Sequence, residues 1–484
     1  MGLVAPVEPV PLGELGRVHF AAIGGAGMSG IARIMLARGV TVSGCDSAAS
    51  DQLDELAWLG AEVSVGHSPS HLQAADTLVV SSAIRQDNPE LVAARAGGMR
   101  VLHRAAALAS VMLGRRSVAV AGTHGKTTTT SMITTVLRRC GAGPGYVIGG
   151  ILAETGLGAA DGNGQLFIAE ADESDGSFLM LAPDAAVITC VEADHLDNYG
   201  SLAEIESAFE AFAARISPGG LLVTSADDPG AVKVTDAWRA STGRAGGVRV
   251  VTYGESVSAD YRVSAITPAG MAAEFDLTPA RGAPPGRAVR LRVEVPGRHN
   301  ALNAAAAYAT AAELGFPGRD IAGGLAAYRG ARRRMEFKGE ADAVRVLDSY
   351  AHHPTELAAD LSAARDVAEG GRVIAVFQPH LFSRTRFFAA QFGAALGLAD
   401  EAFVLDVYAA REDPEPGITG ALVADAVPGG RAIFWDQDPQ GLPAAIADLA
   451  KPGDLVLTMG AGDVTRLGPL IVGALRGRAG GDGR

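Results

Sequence analysis

Cysteine is scarce in this chain of 484 residues, which contains only Cys45, Cys140 and Cys190. An odd number of widely spaced cysteines with no CxxC pair argues against a disulfide framework and against a thiolate zinc site. No apolar run is long enough to span a bilayer, and residues 1–17 carry prolines and acids where a signal peptide needs a basic start. We therefore expect a cytoplasmic protein with no membrane association.

Positive charge is also in deficit, with 41 lysines and arginines against 54 acids and a formal net charge of -13. This balance argues against extensive nucleic-acid binding, because a polyanion needs a basic surface. The length is too great for one hydrophobic core, so two or three domains are expected.

Short apolar runs alternate with helical patterns along the chain, which predicts α/β domains with mainly parallel sheets. We expect three domains, with boundaries at 1–116, 117–329 and 330–484. A glycine- and proline-rich insert at 278–290 predicts a hairpin or mobile loop. The predicted strands are 18–25, 40–46, 61–67, 76–84, 165–170, 185–191, 220–225, 344–350, 372–380, 401–408 and 454–460.

The segment VAVAGTHGKTTTTSMI, residues 118–133, runs from an apolar strand through a glycine-framed turn into a helix. It matches the phosphate-loop consensus in part, because Val120 stands where the first glycine belongs. The glycines permit close backbone approach, Lys126 can pair with phosphates, and Thr127 can hold Mg²⁺. The alternative is a glycine-rich turn with a solvated lysine. The candidate loop residues are Gly122, Thr123, His124, Gly125, Lys126, Thr127 and Thr128.

A second glycine loop, GGAGMSG at 24–30, follows the first strand and precedes a helix. Its spacing fits a nucleotide diphosphate site, and Asp46 ends the next strand where an acid would meet a ribose hydroxyl. The motif does not distinguish NAD from a UDP-sugar, and close packing of the helix on the strand would also explain it. The candidate residues are Gly25, Ala26, Gly27, Met28, Ser29, Gly30 and Asp46.

Acidic residues follow two apolar strands of the central region, in EADESD (170–175) and EADHLDNY (192–199). Four acids within six residues need a cation or basic partners, and Mg²⁺ bridging phosphates needs oxygen ligands beside the phosphate loop. Glu170 and His195 are therefore candidate metal ligands. A solvated acidic turn and a capped loop histidine are the alternatives.

Polar motifs in the last third also lie near strand ends, where open α/β sheets bind ligands. They are RRRMEF (332–337), DSYAHHPTE (348–356), QPHLFSRT (378–385) and DVYAAREDP (406–414). A surface patch of arginines would explain the first motif equally well, and histidine caps on the helix after Pro354 would explain the second.

Taken together, these motifs resemble the Mur ligases of peptidoglycan synthesis over nearly the whole chain. The sequences that carry the resemblance are GGAGMSGIA, VSSAI, GTHGKTTTT, EADESD, EADHLDNY, PGRHNALNAAAA, AHHPTE, QPHLFSRT and GAGDV, which occur in the family's order. The resemblance implies a Rossmann-like N-terminal parallel sheet, a central P-loop ATPase-type sheet and a Rossmann-like C-terminal α/β domain.

Roles for individual residues follow from the same resemblance. It places Lys126 on ATP phosphates, and Thr127, Glu170 and His195 on Mg²⁺. It places Asn300 near adenine and has Arg334 reach the γ-phosphate from the third domain. The implied UDP-sugar residues are Gly25, Gly27, Gly30, Ser82, His103 and Arg104, and the implied amino-acid and reaction-centre residues are His352, His353, His380 and Arg384.

The family chemistry is amide formation driven by ATP with Mg²⁺, here expected to join L-alanine to UDP-N-acetylmuramate. We expect a monomer or weak homodimer. A recycling ligase that adds a tripeptide to the same sugar nucleotide is the nearest alternative. A dehydrogenase would leave the Lys126 loop unused, a regulatory ATPase would leave the N-terminal glycine loop unused, and a scaffolding role would need an inert phosphate loop.

One position departs from the family pattern. The family commonly has an aspartate directly before the tyrosine of its DDYGHHPTE motif, but this chain has Ser349 there and Asp348 one place earlier. The ribose contact implied for that aspartate is therefore in doubt.

Overall fold

The computed structural model describes residues 3–241, 246–279, 288–410 and 412–481. These residues form an α/β fold whose strands build three sheets, as the sequence predicted. The predicted loop or hairpin at 278–290 lies mostly outside the described residues, because 280–287 fall in a gap. None of the described helices combines the length and apolarity needed to cross a bilayer.

The first sheet has the order β3-β2-β1-β4-β5, and its neighbouring strands are all parallel. The strand order reverses between β1 and β4, and ligands of open α/β sheets bind at such a switch point. Both flanking strands are almost wholly buried, which suits a sheet covered on two faces. The elements are β1 Val18–Ala21, α1 Ala26–Ala37, β2 Val42–Asp46, α2 Asp51–Trp58, β3 Glu62–Val65, β4 Thr77–Val80, α3 Pro89–Ala96, β5 Arg100–His103 and α4 Arg104–Met112.

The second sheet has the order β15-β14-β13-β12-β11-β10-β6-β9-β7-β8. Its centre is parallel, whereas β7 and β8 pair antiparallel. Its strands are β6 Arg116–Ala121, β7 Gly145–Val147, β8 Ala159–Ala160, β9 Leu166–Glu170, β10 Ala185–Ile188, β11 Leu221–Ser225, β12 Arg249–Gly254, β13 Tyr261–Ala269, β14 Ala272–Pro279 and β15 Val289–Val293. Its helices are α5 Lys126–Arg139, α6 Leu196–Tyr199, α7 Leu202–Ala213, α8 Pro229–Ser241, α9 Arg298–Glu313 and α10 Gly318–Ala327.

The third sheet has the order β16-β17-β21-β18-β19-β20 and is parallel except for the β16–β17 pair. Successive residues of β18 point to opposite faces of the sheet, and each face is covered by its own buried apolar cluster. The elements are β16 Glu336–Ala341, β17 Val344–Ser349, α11 Pro354–Ala368, β18 Val373–Phe377, α12 Phe382–Leu396, β19 Glu401–Val404, α13 Ala421–Asp425, β20 Ala432–Phe434, α14 Leu442–Leu449, β21 Leu455–Met459 and α15 Leu467–Gly481.

The chain divides into two compact units, and the division passes through β13, β14, β15 and α9. The first unit comprises Met1–Ser264, Leu277–Val289 and Leu302–Ala327, and the second comprises Ala265–Asp276, Arg290–Ala301 and Tyr328–Arg484. The expected three-domain boundaries stay a prediction.

Within the first unit, one buried apolar cluster joins the first two sheets. It contains Phe20 of β1 and Ile31 of α1 together with Phe167 of β9 and Ile188 of β10. Gly30 shows how closely the layers meet, because a Cβ added to it would lie 2.8 Å from the Cβ of Ala159 in β8. Close packing thus accounts for this glycine of the N-terminal loop. The first two sheets therefore share one core.

Candidate active site

The turn between β6 and α5 has a backbone that suits glycine at two positions. Gly122 has φ 138°, and an added Cβ would lie 1.9 Å from the Thr189 hydroxyl; Gly125 has φ 80°. Side chains are strained at such angles. Because α5 begins directly at Lys126, the N–H groups of its first turn lie at the phosphate loop, which is the arrangement that binds anions at helix N-termini.

The other loop residues are anchored to the strand end at β10. The Thr123 and His124 amides donate to the carbonyl and the thiol of Cys190, at 3.0 and 3.2 Å. Thr128 is buried in the first turn of α5. Further along, Thr130 and Thr134 donate to carbonyls four residues earlier, which satisfies hydroxyls that a buried threonine-rich helix would otherwise leave unpaired.

Lys126 is held inside the loop. Its ammonium lies 2.7 Å from the Gly122 carbonyl, 3.1 Å from the Thr123 carbonyl and 2.7 Å from Glu173 Oε1. The side chain is only 16% exposed, so the alternative of a solvated lysine is wrong. An ammonium has three protons, and three acceptors already use them, so a phosphate bound here must replace at least one.

The charges around Lys126 favour its protonated form. Burial lowers the pKa of Lys126, but Glu173, Asp172 and Glu170 together raise it above its ordinary value. Burial raises the pKa of Glu173 to about 7, although Lys126 opposes this shift. The lysine is therefore a fixed cation at neutral pH, while its partner carboxylate titrates in that range. Sequence reasoning noted the acidic run but missed Glu173 as the lysine's partner.

The raised pKa of Glu173 predicts a pH-dependent stability. The folded chain keeps a proton up to about pH 7 that the unfolded chain releases near its ordinary value of 4.5. This contribution is present in full below pH 4.5 and is lost as the pH rises through 7, by up to about 3 kcal/mol. Thermal melts at pH 5 and pH 8 should show wild type losing stability relative to Glu173→Gln. Glu62→Gln, at an exposed position, is the control. If the difference in melting temperature between wild type and Glu173→Gln is the same at both pH values, the prediction is wrong.

Thr127 and Glu170 meet beside the loop and offer oxygens to a cation. The Thr127 hydroxyl donates to Glu170 Oε1 at 2.9 Å, and Glu170 Oε2 accepts the Gly149 amide at 2.6 Å. A hydroxyl and a carboxylate are hard oxygen donors, so the pair fits Mg²⁺.

His195 lies at the N-terminal end of the short helix α6 with φ 52°. Its amide donates to Asp194 at 2.8 Å, and its Nε2 lies 3.5 Å from the other oxygen of that carboxylate. At the far end of α6 the Asn198 amide donates to the Ser174 carbonyl at 2.9 Å, and the Tyr199 hydroxyl donates to the Glu173 carbonyl. The helix is therefore anchored to the acidic segment.

The acidic segment 170–175 also connects the phosphate loop to the first sheet. Asp172 pairs with Arg104 at 2.5 Å, and Asp175 accepts a hydrogen bond from Ser82. Burial raises the pKa of Asp172, but Arg104 and Lys126 outweigh it, so that pKa lies below its ordinary value. The solvated-turn alternative is therefore wrong for this segment, since its acids are compensated by basic side chains and by hydrogen-bond donors.

His103 is fixed in one tautomer at the start of α4. Its Nδ1 accepts the Ala105 amide at 3.3 Å, so Nε2 carries the proton and donates to the Ser82 hydroxyl at 3.0 Å. Burial lowers the pKa of His103, consistent with a neutral ring. Ser82, His103 and Arg104 thus form one group beside the acidic segment.

The N-terminal glycine loop presents backbone rather than side chains. Gly25 caps α1, and a Cβ on Gly27 would lie 3.2 Å from Arg104 Nη1. Met28 is 2% exposed and belongs to the core, so only its backbone can meet a ligand. Asp46 already accepts the Gly24 amide at 3.0 Å and the Ser47 amide at 2.8 Å. Its carboxylate therefore braces the loop, and the ribose contact stays a prediction.

In the second unit, Arg334 lies beside Tyr350, with its guanidinium carbon 5.4 Å from the ring centre. Arg333 covers the same ring at 4.8 Å and donates to the Gly462 carbonyl at 3.1 Å. Glu356 lies 4.0 Å from Arg334. The arginines are thus positioned by an aromatic ring.

Three of the four predicted reaction-centre residues of the second unit lie together. The rings of His352 and His380 are 6.0 Å apart, and Arg384 Nη1 lies 3.3 Å from His380 Nδ1. His353 instead contacts the Phe388 ring and accepts the Thr355 amide at 3.4 Å as the N-cap of α11. His353 therefore caps α11, and its implied role at the reaction centre stays a prediction.

Two asparagines of α9 take different positions. Asn300 donates to the Pro296 carbonyl at 2.7 Å and belongs to the second unit. Asn303 belongs to the first unit, where its Oδ1 accepts from Thr129 at 3.2 Å and lies against Gly125. Asn303 of α9 therefore contacts the phosphate loop. It was not among the residues singled out from the sequence, although the spacing HNxxN places it about one helical turn after Asn300.

Ser349 and Asp348 have internal partners. The Ser349 hydroxyl donates to Asp360 and accepts the Ala351 amide at 3.0 Å. Asp348 is fully buried and accepts from Thr458 and Thr465, both at 2.7 Å. Asp348 therefore cannot replace the aspartate that the family commonly has at position 349.

Three sequence models of one family match successive parts of the chain. The Mur ligase family catalytic domain matches residues 17–116, the Mur ligase middle domain matches 120–311, and the glutamate ligase domain of Mur ligases matches 333–462. The chain belongs to the Mur ligase family.

Full-length relatives are similar throughout. The UDP-N-acetylmuramate–L-alanine ligase of Thermobifida fusca is 56% identical, over 98% of this chain and all of that protein. The enzyme of that name from Streptomyces coelicolor is 51% identical, over 95% of this chain and 97% of the relative. Among solved structures, the UDP-N-acetylmuramate–alanine ligase of Thermotoga maritima superposes with a TM-score of 0.79 at 29% identity, covering 96% of this chain and 99% of that one. A murein peptide ligase of Psychrobacter arcticus shares the fold with a TM-score of 0.68 at 23% identity, covering 95% and 99% of the two chains.

Proposed function

We propose that this Mur ligase joins L-alanine to the lactyl carboxylate of UDP-N-acetylmuramate with cleavage of ATP to ADP and phosphate. The observation that carries the proposal is the acidic segment 170–175. It holds Lys126 and Thr127 of the phosphate loop on one side and Arg104 and Ser82 of the first sheet on the other. A nucleotide triphosphate and a sugar-borne acid bound at these two loops would therefore be neighbours.

The proposed chemistry has two steps. The lactyl carboxylate attacks the γ-phosphorus of ATP, so that an acyl phosphate forms and ADP leaves. The neutral amine of L-alanine then attacks the acyl carbon, the tetrahedral intermediate expels inorganic phosphate, and the nitrogen loses its extra proton. Activation is needed because a carboxylate is a poor electrophile.

This chain's own residues would bind and orient the reactants. Lys126 and the N–H groups of α5 would offset charge on the phosphoryl group, and the glycine loop with Arg104 would hold the sugar nucleotide. Mg²⁺ held by Thr127 and Glu170, with His195 as a further candidate, would neutralise phosphate charge when bound. Holding the carboxylate and the phosphate together is worth roughly 7–11 kcal/mol of the barrier.

His352, His380 and Arg384 stay candidates for the amino-acid site, and Asn300 stays a candidate for the adenine site. We also propose a cytoplasmic monomer or weak homodimer that uses no nucleic-acid or membrane partner. The three free thiols support the cytoplasmic assignment, and the acidic composition argues against a nucleic-acid partner.

Phosphate release with UDP-N-acetylmuramate tests the substrate assignment directly. L-Alanine, glycine, L-serine and the tripeptide should be offered separately, and L-alanine is expected to give the highest kcat/KM. The 56% identity to an alanine ligase, over 98% of this chain and all of that protein, favours this outcome over tripeptide addition. Turnover with the tripeptide alone would overturn the proposal.

A further inference from the structure

Four side chains beneath the N-terminal glycine loop have no role in the proposed reaction. They are His19 on β1, Cys45 on β2, His71 in the turn Pro69–Leu72, and Glu90 on α3, and we name them the His–Cys–Glu cluster. One ligand atom from each lies within 4.8 Å of every other. The topology of the first sheet thus gathers residues that are far apart in sequence.

Glu90 is the centre of this cluster and is fully buried. Its two oxygens each lie 3.0 Å from Cys45 Sγ, and its Oε1 lies 2.7 Å from His71 Nδ1 and 3.6 Å from His19 Nε2. At the edge, His67 Nδ1 is 3.1 Å from Cys45 Sγ and 3.2 Å from Glu90 Oε2. Burial raises the pKa of the Cys45 thiol, and Glu90 raises it further.

The orientation of His19 is the second, independent observation. Its ring is 1% exposed, and its Nδ1 hydrogen-bonds to the Ser43 hydroxyl at 2.9 Å. Its Nε2 lies 3.6 Å from Glu90 Oε1 and makes no hydrogen bond to any residue that the structure describes. Leaving such an atom without a hydrogen bond in the interior is costly. A histidine fixed through one nitrogen, with the other directed into a group of donors, is typical of metal ligands.

The spacing of the donor atoms suits a small cation. Tetrahedral zinc with bonds of about 2.0–2.3 Å needs ligand atoms about 3.3–3.8 Å apart. The observed separations from Glu90 of 2.7–3.6 Å are near this range, and the ligand atoms of all four residues lie within 4.8 Å of one another. The nitrogen and sulfur donors favour zinc over Mg²⁺, which prefers oxygen.

We propose that the His–Cys–Glu cluster binds one Zn²⁺-class cation through His19 Nε2, Cys45 Sγ, His71 Nδ1 and one oxygen of Glu90, with His67 beside it. On binding, the Cys45 thiol releases its proton to solvent and the thiolate bonds to the metal. Four protein ligands make this a closed, structural site. Because the Cys45 carbonyl accepts the Ile23 amide at 2.9 Å, the metal would brace the glycine loop. This proposal revises the expectation against thiolate zinc, which considered only paired cysteines.

Titration of the full-length, metal-free protein with Co²⁺ tests the proposal. Four-coordinate cobalt on a thiolate gives a near-ultraviolet charge-transfer band together with strong d–d bands, and one equivalent should produce both. Cys45→Ser is expected to abolish the charge-transfer band, whereas Cys140→Ser in the central domain should keep it. His71→Ala should weaken cobalt binding at least about tenfold. Zn²⁺ should raise the melting temperature of wild type and not that of Cys45→Ser.

Cobalt binding without a charge-transfer band, or a band that survives Cys45→Ser, would overturn the proposal. Circular dichroism of the metal-free variants shows whether they fold. If Cys45→Ser does not fold, His71→Ala provides the test, because His71 lies in a turn and its side chain is partly exposed. An unchanged cobalt affinity and spectrum in His71→Ala would then overturn the proposal. The spectra do not depend on turnover, so this test stands apart from that of the proposed ligase activity.

Discussion

Replacing Lys126 by methionine is expected to lower the rate of phosphate release at least about 1,000-fold. The variant keeps the length and apolar stem of the side chain but removes the cation that the loop and the acidic segment hold in place. Without that charge, the phosphoryl group in transfer loses a fixed compensating group. The measurement is steady-state phosphate release with UDP-N-acetylmuramate, L-alanine and ATP.

The same change affects folding, and a second variant separates the two effects. Lys126→Met leaves Glu173 buried without its partner, which costs about 3–5 kcal/mol for an uncompensated charge and less where the carboxyl takes up a proton. Adding Glu173→Gln removes that penalty, so the double variant should regain thermal stability but not turnover. Recovery of turnover would show that Lys126 acts only through the fold.

A matched control is available in the same unit. Lys233 on α8 is exposed and forms an ion pair at 2.6 Å with the partly buried Glu206 on α7. Lys233→Met is expected to leave both turnover and melting temperature nearly unchanged, because exposed pairs contribute about 0–1 kcal/mol. Similar losses in both lysine variants would contradict a specific role for Lys126.

The strands were predictable because parallel sheets bury both faces and therefore use continuous apolar runs. Val18–Ala21 and Val373–Phe377 are such runs, and each predicted strand differs from the observed one only at its ends. The strands at Tyr261–Ala269 and Ala272–Pro279 were not among the predicted strands, although their residues alternate between buried and more accessible positions. Such alternation is the signal of a half-buried strand, and it was missed because the predicted strands follow continuous apolar runs.

The candidate site was predictable as a set of motifs but not as a set of contacts. The partners of the acidic segment lie far away in sequence, as with Lys126 and Glu173, or Arg104 and Asp172. Which acid meets which base depends on how the two sheets pack, and no spacing rule contains that information. The His–Cys–Glu cluster was missed for the same reason, because its residues lie on four different elements.

Arg334→Ala is expected to lower kcat about 1,000-fold while the KM for ATP changes little. The family resemblance assigns this arginine to the transferred phosphoryl group, where charge develops in the transition state. An interaction made mainly in that state appears in kcat rather than in ground-state binding. Arg334 lies 4.0 Å from Glu356 and contacts the Tyr350 ring, so thermal melts of Arg334→Ala should accompany the rate measurement and show whether the variant still folds.

Arg332, two positions earlier and exposed, provides the control for Arg334. Arg332→Ala removes the same charge from the same segment, so it should leave kcat nearly unchanged if position rather than net charge matters. Arg334→Lys should recover only part of the rate, since an ammonium lacks the planar fork of the guanidinium. Equal effects of Arg332→Ala and Arg334→Ala would reduce the role of Arg334 to long-range electrostatics, and an unchanged kcat in Arg334→Ala would remove it from the reaction altogether.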